Sequence, residues 1–357
     1  MKVSFFQDKA GNFVRKHSEF IIKQGHRESA KLKEELTEIK ITKPIFVTGL
    51  ARSGTTILLE QLAAHQGLVS YRYKDFPFVH IPYWWENFLN KAGSNSIEKT
   101  ERAHKDRIKI SPDSPEAIEE LLWMSFFQDS HDPSKSNLID EDQIDHRFTG
   151  YYRNTIKKVL LSRKGERYLA KNNYNISRTK YLTNLFPDVK IIIAVRNPVD
   201  TIASLIKQHN LFCDVEKENP KVLSYMQNLG HFEFGLDRRP INFGNTDQAL
   251  EIKQLLDEES ITGYIKYWNM IYEYVSGLVN KNTSEQNLLL VDYDKFCENP
   301  ITMLKSIYDF CEIDIEKSTI EKQAETISAP TYYKPKLSQK EIELIKKETS
   351  FVYSKLI

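Results

Sequence analysis

Ile45-Phe46-Val47-Thr48-Gly49-Leu50-Ala51-Arg52-Ser53-Gly54-Thr55-Thr56 is the stretch on which the fold depends. A short β-prone run leads into Gly49, and after Thr56 the apolar residues Ile57, Leu58, Leu59, Leu62 and Ala63 follow helical spacing to His65. Strand, tight loop and helix in that order, with Gly49 and Gly54 at the spacing G-x-x-x-x-G, read as a phosphate-binding turn. Backbone N–H groups of residues 52–56 and the helix N-terminus converge there on one anionic group, and the Thr55 and Thr56 hydroxyls are further donors. A nucleoside-triphosphate loop carries a lysine directly after its second glycine. Thr55 stands at that position here, and the nearest cation is Arg52. The loop is therefore suited to a single phosphate, with its cation at the outer edge.

Working outward, the middle of the chain repeats the alternation. Tyr168-Leu169-Ala170 reads as a strand, Ser177 to Phe186 as a helix, Val189 to Val195 as a buried β-branched strand, and Pro198 to His209 as a helix with Asn197 as N-cap and Pro198 at N1. A last strand spans Leu288 to Val291, followed by a helix opening at Pro300 and a lysine-rich helix over 338–347. Strands separated by helices pair in parallel through right-handed crossovers. The expected architecture is an α/β, P-loop-type three-layer fold: a central, mainly parallel sheet with helices on both faces. Residues 1–42 read as a helical extension packed on the main body, 43–357 as the α/β domain, and 212–260 as a lid or small helical insertion.

Composition excludes several classes. The chain has 357 residues, 40% of them hydrophobic, with 50 basic and 49 acidic side chains for a net charge of +1. That balance argues against nucleic acid as a partner, because such binders carry a basic excess. The three cysteines, Cys213, Cys297 and Cys311, include no Cys-x-x-Cys, so neither a disulfide framework nor structural zinc is expected. The N-terminus is broken by charge every few residues and no apolar run approaches a membrane span, so no membrane association and a cytoplasmic location are expected.

Val47-Thr48-Gly49-Leu50-Ala51-Arg52-Ser53-Gly54-Thr55-Thr56 resembles the 5′-phosphosulfate loop of sulfotransferases that use 3′-phosphoadenosine 5′-phosphosulfate (PAPS). The stretch Phe186 to Pro198, with Arg196 at the strand end and Ser204 in the next helix, resembles that family's 3′-phosphate segment. The resemblance implies PAPS as co-substrate, with Arg52, Ser53, Gly54, Thr55 and Thr56 at its 5′ end and Arg196 and Ser204 at its 3′-phosphate. Weaker matches extend it over most of 43–335. Tyr168 to Asn173 resembles a strand-terminal lysine segment, which makes Lys171 a candidate cation beside the transferred group. Leu288 to Tyr293 resembles a late strand, and Trp268 a helix tryptophan that core packing explains equally well.

The implied reaction is in-line displacement, a hydroxyl or amine attacking sulfur as the 5′-phosphate leaves. A sulfuryl group carries less charge than a γ-phosphoryl, so alignment and a few donors suffice and no metal requirement is expected. A hydroxyl acceptor also needs a general base. Asp75, among Phe76, Phe78 and Tyr83, is the first candidate, since desolvation raises a carboxyl pKa. His80 is the second. Either could instead be structural. Phe76, Phe78, Tyr83, Trp84 and Trp85 mark either an apolar acceptor site or ordinary core, so the acceptor is open among a small molecule, a glycan and a peptide. Two rival readings stand. A Mg-ATP kinase or NTPase gains from Asp292 at the end of an apolar strand but lacks the loop lysine, and a non-catalytic scaffold would favour loss of Arg52, Arg196 or Ser204, all of which are present.

Overall fold

The computed structural model describes residues 3–93, 99–101, 108–139, 146–279, 286–328 and 336–357. Three helices come first: α1 (Phe5–Lys16), α2 (Ser18–Lys31) and α3 (Lys33–Glu38). A capping box starts α1, with Gln7 N–H donating to Ser4 Oγ and Ser4 N–H donating to Gln7 Oε1. Glu28 of α2 forms a fully buried ion pair with Lys158 at 2.9 Å, so the leading helices are fastened to the body by charge as well as by apolar contact.

The α/β part begins with β1 (Ile45–Gly49), α4 (Thr55–Ala63) and the short β2 (Leu68–Val69). Next come α5 (Pro82–Ala92), a small antiparallel pair β3 (Thr100–Glu101) and β4 (Lys109–Ile110), α6 (Glu120–Phe126) and α7 (His146–Arg163). The sheet resumes with β5 (Arg167–Lys171), then α8 (Thr179–Leu185), β6 (Lys190–Val195), α9 (Pro198–Glu218), α10 (Pro220–Leu229), α11 (Thr246–Asp257) and α12 (Ile261–Val279). β7 (Leu288–Asp292), α13 (Tyr293–Glu298), α14 (Pro300–Phe310), α15 (Lys317–Ala324) and α16 (Gln339–Tyr353) follow.

Five strands pair in the order β2-β5-β1-β6-β7, every pair parallel. β1 is the centre, with Val47 level with Lys171 on one side and Ile192 on the other. All residues of β1 and β6 are buried, as a parallel strand covered on both faces requires. Alternate side chains feed two cores. Phe46, Tyr168, Ile191 and Ile193 join the face that holds α7 and α12, whereas Ile45, Val47, Leu169 and Ile192 pack with Leu58, Leu59 and Leu62 of α4 and Leu304 and Ile307 of α14. The three-layer α/β expectation is therefore met.

Local details differ from the sequence reading. The helix expected at Ser177 is preceded by a 3-10 stretch, Asn173–Arg178, and becomes α only at Thr179. Asn172 caps that stretch, its side chain accepting from Tyr174 N–H, which tightens the first turn. The helix after Pro198 continues past His209 to Glu218, and 212–260 comprises that extension, α10 and α11 with their connections. Trp268 is fully buried, 4.6 Å from the Tyr272 ring, and serves the core. Among the described residues no helix is long and apolar enough to cross a membrane.

Candidate functional site

Because β1 is central and its neighbours β5 and β6 are reached by opposite crossovers, the carboxyl ends of these three strands face one crevice. Three groups arrive there directly: the loop after β1, Lys171 at the end of β5 and Arg196 just after β6. The loop turns sharply. Gly49 has φ +140° and Gly54 φ +103°. A Cβ on Gly54 would sit 2.2 Å from the Tyr293 ring and one on Gly49 2.6 Å from the Ala194 carbonyl, so the turn passes only because both lack side chains. Arg52 also adopts a left-handed backbone, φ +73°, which costs a residue with a Cβ about 1–2 kcal/mol. That conformation aims its guanidinium across the loop.

The two basic motifs meet. Arg52 Nε donates to Ser204 Oγ at 3.0 Å across 152 residues of sequence. Arg196 Nη1 donates to the Arg52 carbonyl at 3.4 Å, and its guanidinium lies 5.1 Å from the Tyr293 ring centroid. Arg196 Nε is buried and makes no hydrogen bond, a donor that a bound anion can satisfy. Asn197 caps α9 as expected, accepting from Val199 N–H, while its own N–H donates to Asp294.

Arg52, Thr55, Thr56 and Lys171 line a cleft of about 830 Å³, within the size range of small-ligand sites. Its polar lining also includes Glu116, Asn173, His231 and Glu233, with Gln7, Glu101 and Glu218, and its apolar lining includes Phe76, Ile118, Phe212, Leu229 and Phe234. Beside this lining, Glu120 receives a bidentate pair of bonds from Arg178, both 2.6 Å, one from Asn172 at 2.6 Å and a contact from His131 at 2.7 Å. Burial alone would raise the Glu120 pKa, but Arg178 and His131 outweigh it and bring it down to about 2. This buried shelf holds the 171–173 turn in place.

The two residues read as base candidates do not line this cleft, which corrects the expectation. Asp75 is 2% exposed and its Oδ2 accepts from Arg163 Nη2 at 2.5 Å and from Arg72 N–H at 2.7 Å. Burial does push its carboxyl up, against the pull of Arg163, but in an enclosed ion pair that also includes Glu86. His80 is fully buried, with Nδ1 2.8 Å from Tyr151 Oη and Nε2 3.1 Å from Ser125 Oγ. Both nitrogens are engaged, and burial, aided by Lys158, lowers its pKa to about 3. Of the five aromatics only Phe76 lines the cleft. Trp85 packs at a tilt against Phe78 and stacks on Phe88, and its Nε1 donates to the Lys74 carbonyl.

Asn173, Glu116, His231 and Glu233 carried no sequence signal that assigned them to the site. Asn173 lay within the lysine segment, but His231-Phe232-Glu233-Phe234 falls where no pattern was visible. Asp292 caps α13, its Oδ1 accepting from the Asp294 and Lys295 N–H groups, so it is occupied in structure rather than offered to a metal. Among the described residues no three His, Cys, Asp or Glu side chains are grouped to hold a metal ion.

A family model described as "Sulfotransferase family" matches residues 44–221, about half of the chain, including both basic motifs. The solved structure of the sulfotransferase STF9 from Mycobacterium avium is similar over 92% of this chain and 80% of that one, at 12% identity and a TM-score of 0.51, which supports the common fold. STF1 from Mycobacterium tuberculosis H37Rv aligns over 91% and 81% at 14% identity and a TM-score of 0.49. Mouse SULT7A1, solved with PAP, aligns over 90% and 87% at 12% identity and a TM-score of 0.39. No curated protein sequence matches the chain. The matched range contains the loop after β1 and the strand-end Arg196, and the chain belongs to the sulfotransferase family.

Proposed function

We propose that this sulfotransferase takes its sulfuryl group from PAPS and transfers it to a small, largely apolar acceptor that carries a hydroxyl. The observation that carries the reading is the Arg52–Ser204 hydrogen bond together with the Arg196 contact to the Arg52 carbonyl. Two motifs far apart in sequence form one basic floor under the ends of β1 and β6. The residues fit such a donor: α4 begins at Thr55 directly after the glycine turn, and Arg196 Nε is buried without a hydrogen bond. In this reading the loop, Thr55, Thr56 and Arg52 hold the 5′ end, Arg196 and Ser204 the 3′-phosphate, and Lys171 stands beside the transferred group.

PAPS supplies the activated sulfuryl group. The protein's part is to align the partners and offset the charge that gathers on the leaving phosphate oxygen, which Arg52, Lys171 and the loop N–H groups do. The apolar side chains in the cleft, among them Phe76, Phe212 and Phe234, favour an acceptor with a ring or chain to bury. Adenosine 3′,5′-bisphosphate (PAP) is expected to raise the melting temperature without magnesium, and Mg-ATP is not. Incubation with sulfur-labelled PAPS and a cell extract then identifies the acceptor by the label it gains. A Mg-ATP shift with none from PAP overturns the reading.

A further inference from the structure

The polar lining of the cleft contains a connected set of side chains that the donor-binding residues do not account for. Thr55 Oγ1, on the first turn of α4, donates to Asn173 Oδ1 at 3.3 Å. Asn173 Nδ2 donates to Glu233 Oε1 at 2.8 Å. Glu233 Oε2 is buried and makes no hydrogen bond, but it lies 3.4 Å from His231 Nδ1, an ion-pair contact. The segment is fixed from behind, because Phe232 N–H donates to the buried Tyr174 hydroxyl at 3.0 Å. Thr55, Asn173, Glu233 and His231 all line the cleft. A line of contacts thus runs from the phosphate loop to an imidazole that retains 19% of its side-chain exposure.

We infer that His231 is the general base of the transfer and that Glu233 is its positioning residue. This rests on the PAPS reading above. A carboxylate facing Nδ1 holds the tautomer protonated there and leaves the Nε2 lone pair as the basic site, the logic by which acids orient catalytic histidines. As the acceptor oxygen forms its bond to sulfur, its proton passes to Nε2. The bond from sulfur to the bridging phosphate oxygen breaks, and its electron pair leaves with the phosphate. The imidazolium then returns the proton to solvent. The contact between Glu233 and His231, at 3.4 Å, is an ion pair rather than a short hydrogen bond.

The charges facing His231 are Glu233 from its own segment, Glu116 from the connection before α6 and Lys171 from the end of β5. Burial lowers the imidazole pKa and Lys171 adds to that, but Glu233 and Glu116 outweigh both, so the net shift is upward. Glu233 goes the other way: burial raises it, but His231, Lys171 and Asn173 bring it down to about 2, so it is ionised at neutral pH.

The test compares wild type, His231→Gln and Glu233→Gln in the full chain, with PAPS and two acceptors of similar size, 4-nitrobenzyl alcohol and 4-nitrophenol. A general base contributes roughly 10²–10⁴-fold, most for a weakly acidic hydroxyl. His231→Gln should lower kcat at least about 100-fold with the alcohol and far less with the phenol, which ionises unaided. PAP should still raise its melting temperature. Glu233→Gln removes the negative charge that lifts the imidazole pKa, so the acid limb of the kcat profile should move to lower pH. An NMR titration of the His231 ring, with no PAPS present, should show the same downward move. Alcohol turnover in His231→Gln within threefold of wild type, equal losses with both acceptors, or a ring titration unmoved by Glu233→Gln each overturns the inference. Absence of a PAP melting shift in wild type is a different result, which removes the PAPS reading itself. If neither acceptor is sulfated, the ring titration decides.

Discussion

Two short stretches of this chain carry the same ingredients. Asp75-Phe76-Pro77-Phe78-Val79-His80 and His231-Phe232-Glu233-Phe234 each combine an acid, a histidine and two phenylalanines. Their surroundings differ. The first lies against α6 and α7, where Arg163 of α7 takes Asp75 and where Tyr151 of α7 and Ser125 of α6 take His80, and both groups are closed off from the cleft. The second stands at the cleft wall beside Lys171 and Asn173, with its imidazole partly open. An acid among aromatics is therefore not in itself a sign of chemistry. What separates the two cases is whether the neighbours that satisfy the polar atoms also leave a face toward a ligand.

The sharpest way to break this contrast is Arg163→Met, which leaves the Asp75 carboxylate buried without its main partner. Breaking a buried pair from one side costs about 3–5 kcal/mol, so a large fall in Tm is expected, with turnover per folded molecule unchanged. A lost activity at an unchanged Tm would place Asp75 in the chemistry after all. Next in size is Arg52→Ala, which belongs to the cleft. Loss of one donor aimed at developing charge lowers kcat about 10²–10³-fold, and PAP affinity should fall less than turnover does. Equal turnover in this variant would refute the role.

If Arg196 holds the 3′-phosphate as proposed, Arg196→Ala removes a charged donor worth about 1.5–3 kcal/mol. It should weaken PAP binding in calorimetry while leaving adenosine 5′-phosphate nearly as before. If both ligands weaken alike, Arg196 does not read the 3′-phosphate. A pH-dependent effect concerns His80, whose folded pKa lies near 3, below the ordinary imidazole value of about 6.5. Its neutral form is favoured by folding, so its contribution is full above pH 6.5 and is lost as pH falls from 6.5 toward 3, at no more than about 1.4 kcal/mol per pH unit. Denaturant titrations of His80→Gln should show a shallower loss over that window. Its kcat should stay within about twofold of wild type.

Much of the fold was legible because it is written in local pattern. Val189 to Val195 is apolar apart from Lys190, and only a strand covered on both faces tolerates such a run, while Asn197-Pro198 announces a helix start whose capping bond is present. The basic floor where Arg52, Ser204 and Arg196 meet was legible for a related reason. Gly49 closes β1, Arg52 and Gly54 lie in the loop that follows it, Arg196 directly follows β6, and strand ends in a parallel sheet share one edge. The wall of the cleft opposite was not. Asn173 takes its place only because Glu120 and Arg178 shape the turn after β5, and Glu233 reaches Asn173 across 60 residues through a loop with no period.

By itself the sequence determined the parallel sheet, the glycine turn and the two cations that belong to it, because hydrophobic periodicity and backbone sterics act between near neighbours. Only the tertiary structure decided which acids and histidines are spent on holding the interior and which face a ligand. That choice depends on partners distant in the chain: Arg163 for Asp75, Tyr151 for His80, Asn173 for Glu233. A polar side chain's protonation and availability follow from desolvation and from the charges around it, and the chain sets neither until it has closed on itself.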